Sequence, residues 1–221
     1  MLKEYDIYMA GSIVTVENVS LKYKKTVLTN VTISAEKGET VGLLGLNGSG
    51  KSTLLSAIAG LRKPSTGSIK VNGKAGFVTQ ENALIEELTA MDNLKMWTPM
   101  SRQEIMKELT ETELSILKVS DFIDLKVKRM SGGMKKRLAI ASVLLSKPDI
   151  LLMDEPLAAL DIPAKNDIIN FVDSFSRKGG TIFIASHSED LFKHCSKIYL
   201  LKKGVSSLLP PGISPAEALD D

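Results

Sequence analysis

The chain has 221 residues, 43% of them hydrophobic and 24% charged, a balance that excludes a disordered or collagen-like chain. Lys and Arg number 28 against 26 Asp and Glu, and a net charge of +2 gives no global drive toward nucleic acid. No apolar run approaches the roughly 18 residues of a membrane span, the first eleven residues lack the apolar centre of a signal peptide, and a single cysteine, Cys195, excludes an internal disulfide framework.

Alternation marks a strand over Ile13–Leu21, and a second strand-like run follows over Val27–Ser34. Thr40–Leu44 is apolar throughout, as expected of a strand buried on both faces. A glycine-rich segment, Gly45–Gly50, leads into helical spacing over Lys51–Leu61. Ile69–Val71 and Ala75–Val78, joined through Asn72-Gly73, read as a tight hairpin. Residues 81–130 change character and read as a helical insertion, with capping signals at Ser101-x-x-Glu104 and again at Thr110-x-x-Glu113. Then come a helix over Gly132–Leu145, a strand over Ile150–Met153, a helix over Pro163–Arg177, a strand over Thr181–Ala185, a helix over Glu189–Cys195 and a last strand over Lys197–Leu201. The tail holds Pro210, Pro211 and Pro215 and carries no assignment. Strands alternating with helices predict an α/β fold with a largely parallel core sheet. The expected organisation is one domain: an extension over 1–12, a β region and phosphate loop over 13–80, the helical part over 81–130, a second core part over 131–204 and a tail over 205–221.

Gly45-Leu46-Asn47-Gly48-Ser49-Gly50-Lys51-Ser52 fits Gly-x4-Gly-Lys-Ser/Thr and stands between a buried strand and a helix. The glycines let backbone N–H groups turn toward phosphate oxygens, and the helix N-terminus adds partial positive charge. Lys51 can then reach β- and γ-phosphates, and Ser52 can ligate Mg²⁺. Ile150–Met153 ends in Asp154-Glu155-Pro156, at the carboxyl end of a strand where α/β sheets gather ligands. Asp154 is placed to hold Mg²⁺, and Glu155 to orient or deprotonate a water attacking the γ-phosphate. His187 also follows a strand; a contact to the γ-phosphate and a plain surface histidine are both open. Ser131-Gly132-Gly133 precedes a helix and reads either as a second anion site or as an N-cap with a flexible entry.

In this order the motifs resemble the nucleotide-binding subunit of an ATP-binding-cassette (ABC) transporter, and the likeness covers about residues 13–204. Gly45–Ser52 resembles the Walker A loop, which implies nucleotide contacts at Gly45, Asn47, Gly48, Ser49, Gly50, Lys51, Ser52 and Thr53. Gln80 is similar to the Q-loop glutamine, Ser131-Gly132-Gly133 to the signature, Asp154-Glu155 to Walker B with its catalytic glutamate, Asp161 to the end of the D-loop and His187 to the switch histidine. Tyr23 stands where the family stacks an aromatic ring on adenine. Met130 and Met134 replace the usual Leu and Gln of the signature, and Ala158 replaces a common serine. The resemblance implies a P-loop ATPase using ATP and Mg²⁺, with Glu155, His187, Lys51 and Gln80 in catalysis and Ser52, Gln80 and Asp154 at the metal. It further implies head-to-tail closure of two cassettes, homo- or heterodimeric, on two ATP molecules. Ser131 and Gly133 of one would then meet the γ-phosphate held by Lys51 of the other. Closure would drive a separate membrane permease at the cytoplasmic face, and the Ser-Gly-Gly-Met-Lys-Lys-Arg run resembles exporters of small molecules, antibiotics or peptides. A soluble cassette of the iron–sulfur assembly type is the alternative. Ala83, Leu84, Ile85, Leu88, Met91, Leu94, Met96 and Trp97 are expected to divide between the core of the helical part and a docking groove.

Overall fold

The computed structural model describes residues 11–22, 26–187, 189–210 and 212–220. Two sheets form. β1 (Ser12–Lys22), β2 (Thr26–Glu36) and β4 (Thr66–Val71) make an antiparallel sheet in the order β2-β1-β4. β3 (Thr40–Leu44), β5 (Ala75–Val78), β6 (Ile150–Asp154), β7 (Thr181–Ser186), β8 (Lys197–Lys202) and β9 (Val205–Leu208) make the second, in the order β5-β6-β7-β3-β8-β9. All its pairings are parallel except β8 with β9.

The apolar run of each central strand is explained by its two faces. Ile150 and Leu152 of β6, with Phe183 and Ala185 of β7, belong to a core shared with the antiparallel sheet and with Leu54, Leu55 and Ile58 of helix α1 (Lys51–Ile58). Leu151 and Met153, with Ile182 and Ile184, face a second core on the helical side. That core collects Met91 and Leu94 of α2 (Ala90–Lys95), Ile105 and Leu109 of α3 (Arg102–Glu111), Leu138 and Ile140 of α4 (Gly132–Leu144), and Phe171 and Val172 of α5 (Ile162–Arg177). Fully apolar strands are what burial on both faces requires.

Several boundaries differ from the sequence reading. The Asn72-Gly73 hairpin does not form: β4 pairs with β1, whereas β5 pairs with β6 in the other sheet. Asn72 N donates to Ile13 O at 2.7 Å, and Lys74 O accepts from Asp149 N at 2.9 Å, so residues 72–74 hand the chain from one sheet to the other. A local turn signal does not choose strand partners. Ser101 forms the expected capping box, with Glu104 N donating to Ser101 Oγ and Ser101 N to Glu104 Oε2. Thr110 does not cap: α3 runs through it, its hydroxyl donates to Met106 O at 2.8 Å, and Thr112 caps the next 3-10 turn, Glu113–Leu117. Helix α6 is only Glu189–Phe192, and β8 is followed by the unforeseen β9 and by α7 (Pro215–Asp220). Among the described residues no helix is long and apolar enough to cross a membrane.

Candidate nucleotide site

Parallel registers bring the motif residues to one edge. Leu44 pairs with Ser186 and Asp154 with Ala185, so β3, β6 and β7 end together and their following residues, Gly45, Glu155 and His187, leave the sheet side by side. Val78 pairs with Met153, which sets Gln80 just beyond the same edge. A cleft of about 490 Å³ opens there, lined among others by Asn47, Gly48, Gly50, Lys51, Ser52, Thr53, Gln80, Asp154, Glu155 and His187. Ala158, which replaces the family's common serine, lines it as well, as does Val27, which was not foreseen. Tyr23 lies outside the described residues.

The loop between β3 and α1 needs its glycines for space and for backbone. A Cβ on Gly45 would stand 2.5 Å from Leu201 O and from Ser49 Oγ. Gly50 has φ +105 and a Cβ there would meet Leu28 Cδ2 at 2.5 Å. Lys51 is buried, and its Nζ donates to Gly45 O at 2.7 Å and Leu46 O at 3.3 Å, with Glu155 Oε1 3.9 Å away. Burial lowers its pKa, while Glu155 and Asp154 pull it back up.

Asp154 and Glu155 are both buried at the end of β6. Burial raises the Asp154 pKa; the hydrogen bond from Ser52 is the largest opposing influence. Asp154 Oδ1 is buried without a hydrogen-bond partner. A buried carboxylate oxygen left open beside a serine hydroxyl suits a hard divalent cation. Glu155 sits at φ +44, with its N–H donating to Ala185 O. Ser186 Oγ donates to Glu155 Oε2 at 3.2 Å, and His187 Nδ1 lies 2.9 Å from Oε1, so His187, exposed on its outer side, lines the cleft beside Glu155.

Ser131, Gly132 and Gly133 are not in this cleft. Ser131 caps α4, its Oγ accepting from Met134 N at 3.2 Å, and Ser131 and Gly132 are exposed. A Cβ on Gly133 would come within 2.6 Å of Ala164 Cβ, which accounts for one of the two glycines by close packing against α5. Asp161 caps α5 by accepting from Ala164 N at 3.0 Å and lies beside Gly133. The expected site therefore divides into a cleft and a separate exposed patch.

The sequence profile of the ABC transporter family matches residues 28–158. The linearmycin resistance ATP-binding protein LnrL of Bacillus subtilis is 36% identical over 205 residues, 85% of this chain and 66% of LnrL. The teichoic acids export ATP-binding protein TagH of Bacillus cereus is 36% identical over 180 residues, 80% of this chain but only 33% of TagH. Among solved structures, the dimeric ABC transporter cassette MJ0796 superimposes with TM-score 0.77 at 30% identity, covering 88% of this chain and 96% of that one. A post-hydrolysis dimer of the same cassette, bound to ADP and Pi, fits with TM-score 0.77 at 31% identity over the same shares of the two chains. The chain belongs to the ABC transporter family, as one of its ATP-binding, ATP-hydrolysing cassettes.

Proposed function

We propose that this cassette closes head to tail on a second cassette around two ATP molecules and drives a separate membrane permease of the exporter type. The observation that carries this reading is the division of the site: the cleft holds Lys51, Asp154 and Glu155, while the signature lies apart from it, with Ser131 and Gly132 exposed and Gly133 packed beneath them. A second chain bringing its own exposed signature would complete the cleft. The dimeric MJ0796 structures support that arrangement. The export named for TagH and the resistance named for LnrL support outward transport, and neither favours the iron–sulfur alternative.

The chain's residues divide the work. Backbone N–H groups of residues 45–53 cradle the phosphates. Lys51 leaves Gly45 O and Leu46 O to meet the β- and γ-oxygens, while Tyr23 stacks on the adenine. Ser52, Asp154 and Gln80 would hold Mg²⁺, which when bound supplies charge neutralisation at the β- and γ-phosphates. Water attacks the γ-phosphorus, the bond to the β–γ bridging oxygen breaks, and ADP and phosphate result. Glu155 takes the water's proton, its carboxylate aligned by Ser186 and His187.

A groove lined by Phe77, Leu84, Trp97 and Val143 supports the reading that a permease docks on this side of the cassette, at the cytoplasmic face of the membrane. Of the apolar residues of the helical part, Met91 and Leu94 are buried in its core, whereas Ile85, Met96 and Trp97 are exposed.

The test is Glu155→Gln. Phosphate release should fall at least about 100-fold with ATP still bound, and light scattering should show a dimer in Mg-ATP and a monomer in ADP. Adding Ser131→Arg should abolish that dimer. A monomer in Mg-ATP for Glu155→Gln would overturn closure between two copies of this chain, and unchanged hydrolysis would remove Glu155 from its role.

A further inference from the structure

The helix that begins at the signature carries a buried lysine for which the chemistry above has no use. Lys136 lies on α4 and is 4% exposed. Its sequence neighbours find carboxylates: Lys135 pairs with Glu86 at 2.8 Å and Arg137 with Asp167 at 3.0 Å. Lys136 Nζ instead donates to two backbone carbonyls, Gln80 O at 2.9 Å and Thr79 O at 3.2 Å. Those carbonyls belong to the residues that have just left β5, whose last pairing with β6 is Val78 with Met153. Beyond that pairing no strand ladder holds the backbone, yet this is the stretch that delivers Gln80 to the cleft. Burial disfavours the ammonium, and the nearby Asp154 charge offsets part of that cost. Placing a buried cation on carbonyls makes sense where the position of those carbonyls matters, because hydrogen bonds to a charged donor are stronger than neutral ones.

We propose that Lys136 is a positioning residue for Gln80: its ammonium clamps the carbonyls of Thr79 and Gln80 and so fixes where the Gln80 side chain enters the nucleotide cleft. The proposal rests on the reading of Gln80 as a participant in hydrolysis. It also makes the helix that starts at Ser131 a direct support of the cleft in its own chain, through a side chain rather than through packing.

The experiment is a double-mutant cycle on the full chain, with kcat and KM for Mg-ATP, ATP binding in EDTA and thermal melting as readouts. Lys136→Met, which keeps an unbranched apolar stem of the same length as Gln and removes the donors, should lower kcat about ten-fold with binding in EDTA unchanged. Gln80→Ala should lower kcat to a similar degree. The double variant should be no slower than Gln80→Ala alone, because the clamp has nothing left to position. Lys136→Gln, whose amide can still donate from a side chain one atom shorter, should recover most of the rate. Should Lys136→Met fail to fold, Lys136→Gln replaces it in the cycle, and its smaller loss must vanish in the Gln80→Ala background. Losses that multiply in the double variant, or a wild-type kcat for Lys136→Met beside a slow Gln80→Ala, would overturn the proposal and leave the role of Gln80 standing. A wild-type kcat for Gln80→Ala would overturn that role and this proposal with it.

Discussion

Lys51 and Cys195 show how one residue's surroundings set its chemistry. The Lys51 ammonium is held on the carbonyls of its own loop and close to Glu155, so the cation proposed to meet phosphate is already largely desolvated. Cys195 is the opposite case. Burial pushes the thiol of this half-buried residue up to about 12, which disfavours the thiolate, the reactive form, at pH 8. A thiol reagent at pH 8 should therefore label native protein far more slowly than protein in denaturant, and mass spectrometry over time reads the difference. The sign for stability follows from the same shift. Above pH 9 the unfolded thiol loses its proton while the folded one keeps it, so this group lowers stability as pH rises toward 12. Residues of this kind divide by legibility. The glycines, Lys51, Ser52 and the two carboxylates were legible because phosphate and Mg²⁺ chemistry admits few residue types at fixed spacing. Lys136 was not, because a lysine in a Lys-Lys-Arg run on a helix reads as solvated, and only the fold shows which of the three points inward.

At the scale of elements, the helical part depends on local caps. Ser101 and Glu104 satisfy two N–H groups at the start of α3, whose Ile105 and Leu109 are fully buried. Ser101→Ala should lower the melting temperature by about 2–4 °C without altering ATP affinity, as calorimetry and nucleotide titration can establish. Capping boxes are legible because they are complete within four residues. The reading of residues 69–78 as a hairpin failed for the converse reason. Asn-Gly describes a turn, but the partner of β5 is β6, more than seventy residues along the chain. The second capping signal failed because a helix already running from Ser101 absorbs Thr110 as an interior residue, its hydroxyl turned back to Met106 O. The strand β9 escaped notice since its one pairing, to β8, follows the turn at Lys203-Gly204, where the sequence reading stopped.

The whole molecule presents a cleft at one sheet edge, a signature whose Ser131 and Gly132 are exposed, and an apolar groove whose Trp97 is 57% exposed. On the proposed reading this groove serves docking rather than stability. Trp97→Asp should leave melting and the ATPase rate of the isolated chain near wild type while abolishing co-purification with the co-expressed permease; retained co-purification would place the contact elsewhere. The parallel α/β architecture was legible from the alternation of elements, whereas the division of the site between two surfaces was legible only through the family resemblance and not from the residues alone. That division depends on Gly133 packing against Ala164 and on the registers of β3, β6 and β7. One strand has a wider role still. Ile150 and Leu152 of β6 wall one core, and Leu151 and Met153 wall the other. Neither core can loosen alone without losing that common wall, so the amides of Ile150–Asp154 are expected to exchange only through global opening, as native-state hydrogen exchange can check. Asp154 and Glu155 stand at the end of this fully buried strand, so loosening either core is expected to cost the cleft together with the fold.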